Sequence, residues 1–180
     1  MNVYFSKWFK LPNRNEYRII PNSSGVYIIA RCVEPGSQVD ALDNRIIYIG
    51  RTKNLRNRIK QFDDSCAHYY GGHAGGNALH KTEVNQEFRG IIENIKQQQD
   101  GQIIKKIVYK CCSESSPKIQ EIWHNIKCRL SLAIWTPDDG GEGKCLEISG
   151  SEQLKFVEVY LQASFFVTHE RLPEYNRRIG

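Results

Sequence analysis

The first clear hydrophobic pattern is GVYIIARCV at residues 25–33, a run of β-branched and aromatic residues entered through the turn-forming stretch PNSSG. It predicts a strand. A polar loop, EPGSQVDALDN, separates it from RIIYIG at 45–50, a second strand whose short separation from the first favours antiparallel pairing. Thr52 predicts the cap of a helix, along which Leu55, Ile59 and Phe62 recur as a core stripe. HYYGGHAGGNALH reads as a Gly-rich loop, and VNQEFRGIIENIKQQQ (84–99) as a helix with Phe88, Ile91, Ile92 and Ile95 on one side. QIIKKIVYKCC (102–112) predicts a strand and IQEIWHNIKC a short helix. CRLSLAIWTP (128–137) predicts a strand that alternates Leu130, Leu132 and Ile134 on one face. After a break at Pro137, Asp138 and Asp139, Ser149 and Glu152 have capping-box spacing and open a helix to about Val167. Strands with helices between them and no internal repeat predict an α+β fold with a small, mainly antiparallel sheet.

Composition narrows the class. A chain of 180 residues, 40% hydrophobic and 25% charged, has the size of one globular domain with a real core. No apolar run approaches the roughly 18 residues that span a bilayer. The opening MNVYFSKWFK interrupts its aromatics with Lys7 and Lys10, so no secretory leader is expected, and the predicted location is cytoplasmic. Six cysteines without a C-x-x-C pair predict free thiols rather than a disulfide scaffold or a zinc site. The net charge of +5 is unevenly spread: residues 1–60 hold 11 Lys and Arg against 4 Asp and Glu, and the remainder 14 against 16. A basic first third points to an anionic partner, nucleic acid first among the candidates.

Three placements stand out chemically. With Leu55 at zero on the helical wheel, Arg58 falls near −60° (at about 100° per residue), on the shoulder of the apolar stripe, whereas Lys53, Arg56 and Lys60 face water. With Leu154 at zero, Leu161 and Phe165 lie within roughly 20° and Glu158 near 40°, inside the apolar arc of the last helix. A buried carboxylate must be protonated, paired or bound to metal. Tyr27 and Tyr48, each two or three residues into a strand, can bring their hydroxyls together on one face of a hairpin.

Gly25-Val26-Tyr27, Tyr48-Ile49-Gly50, Arg58 ten residues on, a helix bearing Glu158 in FVEVYL, and Asn176 in LPEYN together resemble the GIY-YIG nuclease family. The resemblance implies a three-stranded antiparallel sheet flanked by helices, in a single domain 1–180 with its core at about 21–76 and 128–178. Residues of about 77–127 are expected as an inserted α/β segment. It implies a divalent-metal-dependent endonuclease acting on DNA with Mg2+ or Mn2+, no small-molecule cofactor and no membrane. A homodimer is left open. By position, Tyr27 and Tyr48 correspond to the hydroxyls that activate water, Arg58 to the phosphate stabiliser and Glu158 to the metal ligand. Asn176 corresponds to a positioning residue, His73 to a proton relay, and Arg51, Lys53 and Arg56 to contacts with nucleic acid. One departure is Phe62, where relatives carry a histidine or tyrosine; it keeps alive the alternative of a catalytically inactive nucleic-acid-binding module of the same fold.

Overall fold

The computed structural model describes residues 5–68, 72–90, 117–137 and 150–177. Two compact units are distinguished, Met1–Lys60 with Arg129–Gly180, and Gln61–Cys128. The boundary falls inside a helix at Gln61, earlier than the expected insertion at 77.

The first unit is built on an antiparallel sheet of four strands: β1 (Phe9–Lys10), β2 (Gly25–Arg31), β3 (Ile46–Thr52) and β4 (Leu130–Trp135), in the order β1-β4-β2-β3. The expected three strands are β2, β3 and β4. The fourth is a two-residue edge strand, Phe9 opposite Leu132 and Lys10 opposite Ser131, too short to leave a pattern in sequence.

Alternation divides the sheet. Val26, Ile28, Ala30 and Ala133 face one way and join Leu154, Val157, Leu161 and Phe165 of a long helix, residues Gly150–His169, in the main core. Tyr27, Ile29, Leu132 and Ile134 face the other way, as their cross-strand partnerships require. Helix α1 (Leu55–His68) begins on that second face, where Leu55 packs beside Gly25. Ile46 and Ile49 both belong to the core although they are three residues apart. A bulge reconciles them: Ile29 pairs with Tyr48 but Ala30 pairs with Ile46, so Ile47 is the extra residue. The bulge sits next to Tyr48 and sets the face on which its ring emerges.

Helix α1 is capped by Asn54, whose Oδ1 accepts from the Asn57 amide at 2.9 Å, and not by Thr52. Thr52 instead holds the preceding turn, its Oγ1 accepting from the Asn54 amide at 3.0 Å.

The second unit contains the rest of α1, α2 (Ala74–Leu79), a π-helical turn at His80–Val84 that runs on through helical residues 85–90, and α3 (Pro117–Lys127). Gly72 sits in a bend at φ 69°, as a loop requires, but Ala74–Leu79 of the Gly-rich stretch form a helix. Its glycine serves close packing: a Cβ on Gly76 would stand 2.7 Å from Ser65 Cβ and 2.8 Å from the Phe62 carbonyl oxygen. Glycine read as a turn signal here marks close helix contact. Buried Asp63 accepts from Trp123 Nε1 at 2.7 Å and Lys127 Nζ at 2.9 Å, which satisfies the ion pair inside this unit. The strand expected at 102–112 lies outside the described residues. The Gly150–His169 helix of the first unit is α4.

Candidate active site

The two tyrosines meet because of a glycine. Tyr27 stands directly opposite Gly50, and Tyr48 lies diagonally across the same hairpin face. A Cβ on Gly50 would come 2.6 Å from Tyr48 Cε1 and 2.8 Å from Tyr27 Oη. With hydrogen there instead, the rings approach to 5.8 Å between centroids, tilted by 31°. Gly25 has a similar duty at the other end of the motif, where a Cβ would strike the Trp135 carbonyl oxygen at 2.4 Å and Leu55 Cδ1 at 2.6 Å. Both glycines are packing requirements of the first unit.

Arg58, half-buried on the first turn of α1, hydrogen-bonds both phenols. Tyr27 is fully buried and Tyr48 is 9% exposed, so of the two Tyr48 is the one in contact with solvent. Burial pushes the Tyr27 hydroxyl well above the ordinary phenol value, the nearby Tyr48 adds to the rise, and the Arg58 guanidinium opposes it. Burial also raises Tyr48, while the hydrogen bond from Tyr27 and the charge of Arg58 pull it down. The bond between the hydroxyls thus favours a proton on Tyr27 and its loss from Tyr48. Of the two, Tyr48 is the one that holds its proton less firmly.

Glu158 comes from α4, on the opposite face of the sheet, and arrives at the site round the edge formed by β3. It is 9% exposed and its Oε2 accepts from Arg51 Nε at 2.6 Å. Its charge is close enough to raise Tyr48. Tyr48, Arg51, Lys53, Arg58 and Glu158 line one pocket of about 350 Å³, with Thr52, Ser151 and Leu154 completing the wall. An anionic group entering it would meet three cationic side chains and one carboxylate.

The edge strand carrying Tyr48 is held from outside. Asn176 Oδ1 accepts from the Ile49 amide at 2.9 Å, and its Nδ2 donates to the Ile49 carbonyl at 2.8 Å. The side-chain amide thus imitates one residue of a neighbouring strand. Tyr175 adds a backbone bond from its N–H to the Ile47 carbonyl at 2.9 Å. Gln162, buried one turn after Glu158, donates to the same Ile49 carbonyl at 3.2 Å and ties α4 to β3. Gln162 was not foreseen; its signal is a second polar residue on the buried arc, four positions after Glu158.

Other expected residues are placed differently. Arg56 is turned to the backbone of the preceding segment, donating through Nε to the Ile20 carbonyl at 2.9 Å. Lys53 is exposed at the pocket. His73 lies in the second unit, fully buried, where its Nδ1 accepts from the Gly76 amide at 3.1 Å and caps α2. Its ring meets buried Phe62 edge-on at 5.1 Å. Of the cysteines within the described residues, Cys32, Cys66 and Cys128 are free thiols.

A magnesium-like ion suits the donor chemistry. Among the described residues no three Asp, Glu, His or Cys side chains cluster as a metal cage. One carboxylate in an open pocket matches a cation that keeps most of its waters and needs only one or two carboxylates.

Residues 23–106 match the family model of the GIY-YIG catalytic domain. The matched span includes Gly25, Tyr27, Tyr48, Gly50 and Arg58 and ends before Glu158 and Asn176. No curated protein and no solved structure gives a match to the chain. Among the described residues, no helix is long and apolar enough to cross a membrane. The paired tyrosines, their glycines and the arginine thus fall together in the matched span, and residues 23–106 of the chain are similar to the GIY-YIG catalytic domain.

Proposed function

We propose that the chain is a divalent-metal-dependent endonuclease that hydrolyses DNA phosphodiester bonds. The observation that carries this reading is the shared pocket: Tyr48, Arg58 and Glu158 converge there from a strand, a helix on one face of the sheet and a helix on the other. A structural ion pair with Arg51 alone would not require the carboxylate to share a pocket with a phenol and a second guanidinium.

Arg58 offers a planar fork matched to phosphate oxygens. Tyr27 steadies a Tyr48 phenolate through its donated hydrogen bond, and that phenolate takes the proton of the attacking water and becomes the neutral phenol. Glu158 would hold Mg2+ or Mn2+, and the ion when bound supplies positive charge to the scissile phosphate and the departing oxygen. Lys53 and Arg51 draw the nucleic-acid backbone to the pocket. Asn176 acts on the reaction through β3, whose backbone it fixes at Ile49, between Tyr48 and Gly50. His73 enters as a cap and packing residue of the second unit, and Arg56 as an anchor for the segment before β2.

Incubation of duplex DNA with the protein and Mg2+ is expected to yield 5′- and 3′-ended nicks that vanish in EDTA. Arg58→Ala and Glu158→Gln are expected to lower the single-turnover rate by at least about a hundredfold while circular dichroism stays unchanged. Undiminished cutting by both variants would reject the site. The inactive-module reading rests on Phe62, and salt-sensitive binding without cutting under any divalent ion would establish it instead.

A further inference from the structure

Arg51 and Glu158 form the shortest-range charge contact of the pocket, Nε to Oε2 at 2.6 Å, with the carboxylate 11% and the guanidinium 38% exposed at the side chain. Arg51 lies on β3 opposite Val26 and next to Gly50, at the mouth of the pocket. The carboxylate that would hold a metal is therefore already neutralised by a cation of the chain itself. That cation is also one of the groups facing incoming phosphate. Arg51 meets the carboxylate through Nε, so its Nη groups can engage an incoming phosphate and draw the guanidinium off Glu158.

We infer that Arg51 is an internal counter-ion for Glu158 that is exchanged for the metal when DNA arrives. This rests on the reading of Glu158 as metal ligand. In the resting protein Arg51 holds the carboxylate and weakens metal binding. When a backbone phosphate enters, it takes over the guanidinium, and Glu158 is released to the cation. DNA and metal then bind with positive coupling, each making room for the other. A metal site of one carboxylate stays weakly loaded without substrate, which restrains cleavage chemistry away from DNA. Arg51 is thus a positioning residue that acts through Glu158.

Two binding measurements test this without any readout of cleavage. Mn2+ titration followed by electron paramagnetic resonance, without DNA, is expected to show Arg51→Gln binding the ion roughly fivefold more tightly than wild type, the scale of one partly exposed ion pair. Glu158→Gln is expected to lose that site. Arg51→Lys, which keeps the charge but loses the fork, should fall between wild type and Arg51→Gln and guards against a fold defect in the latter. In EDTA, fluorescence anisotropy is expected to show Glu158→Gln binding duplex DNA several-fold more tightly than wild type, because Arg51 is freed. That gain should disappear in the Arg51→Gln background; a gain from lost negative charge alone would persist there. If Glu158→Gln abolishes Mn2+ binding but Arg51→Gln leaves it unchanged or weaker, the exchange is refuted and Glu158 remains the ligand. If no Mn2+ binding depends on Glu158 in either background, the metal reading falls and the exchange falls with it.

Discussion

At the scale of single residues, the site is an exercise in where protons and methyl groups can be tolerated. Burial keeps both phenols neutral at ordinary pH, Tyr27 more firmly than Tyr48. Below a raised pKa the phenolate fraction grows tenfold per pH unit, so single-turnover cleavage is expected to climb about tenfold per unit from pH 6 to 9 without levelling. A plateau below pH 7, or a Tyr48→Phe protein that cuts within about threefold of wild type, would remove Tyr48 as the base. Gly50→Ala brings a methyl carbon within 2.8 Å of both tyrosine side chains and must push them apart. It is expected to cost about 1–3 kcal/mol in urea denaturation and to lower cleavage further than its stability loss explains. The motif letters were legible in sequence, but their glycines carried no stated reason there; only the opposed placement of Tyr27 and Gly50 supplies one. Glu158 was legible as a misplaced charge, whereas its pairing with Arg51 was not, because the two lie 107 positions apart.

Elements show where local rules gave way. The strands 25–31, 46–52 and 130–135 and the helix 150–169 fall where the apolar runs of the sequence place them. Within the Gly-rich stretch, Ala74–Leu79 does not fit the loop expected there, since Gly76 is selected by close packing against α1 rather than by a turn. The bulge at Ile47 is invisible in the pattern of IIYIG because every position there is apolar or aromatic, so no period is defined to be broken. Strand β3 is an edge strand that depends on Asn176 and Tyr175 for its outer hydrogen bonds. Asn176→Ala removes two of them, at about 1 kcal/mol each. The expected signature is faster hydrogen exchange at the Ile49 amide together with a reduced cleavage rate. Protection at Ile49 equal to wild type would show that water replaces the side chain and that the latch is dispensable.

For the molecule as a whole, the uneven charge predicted in sequence acquires a location: Arg51, Lys53 and Arg58 of the basic first third share one pocket. DNA affinity in EDTA is expected to fall linearly on a log–log plot against salt, and Lys53→Ala to reduce the slope by about one without changing sequence preference. A slope unaffected by Lys53→Ala would move the DNA path off this face. The amino-acid sequence alone determined which segments become strand or helix, which side chains are chemically out of place, and which family they resemble, because these depend on residue type and on spacing over a few turns. Tertiary structure decided the rest. It made a fourth strand from two residues, gave His73 a capping bond and Arg56 a backbone partner, and brought Glu158 round a sheet edge to Tyr48 and Arg58. Such contacts join positions a hundred residues apart, and their geometry is set by how sheet and helices pack rather than by any local preference.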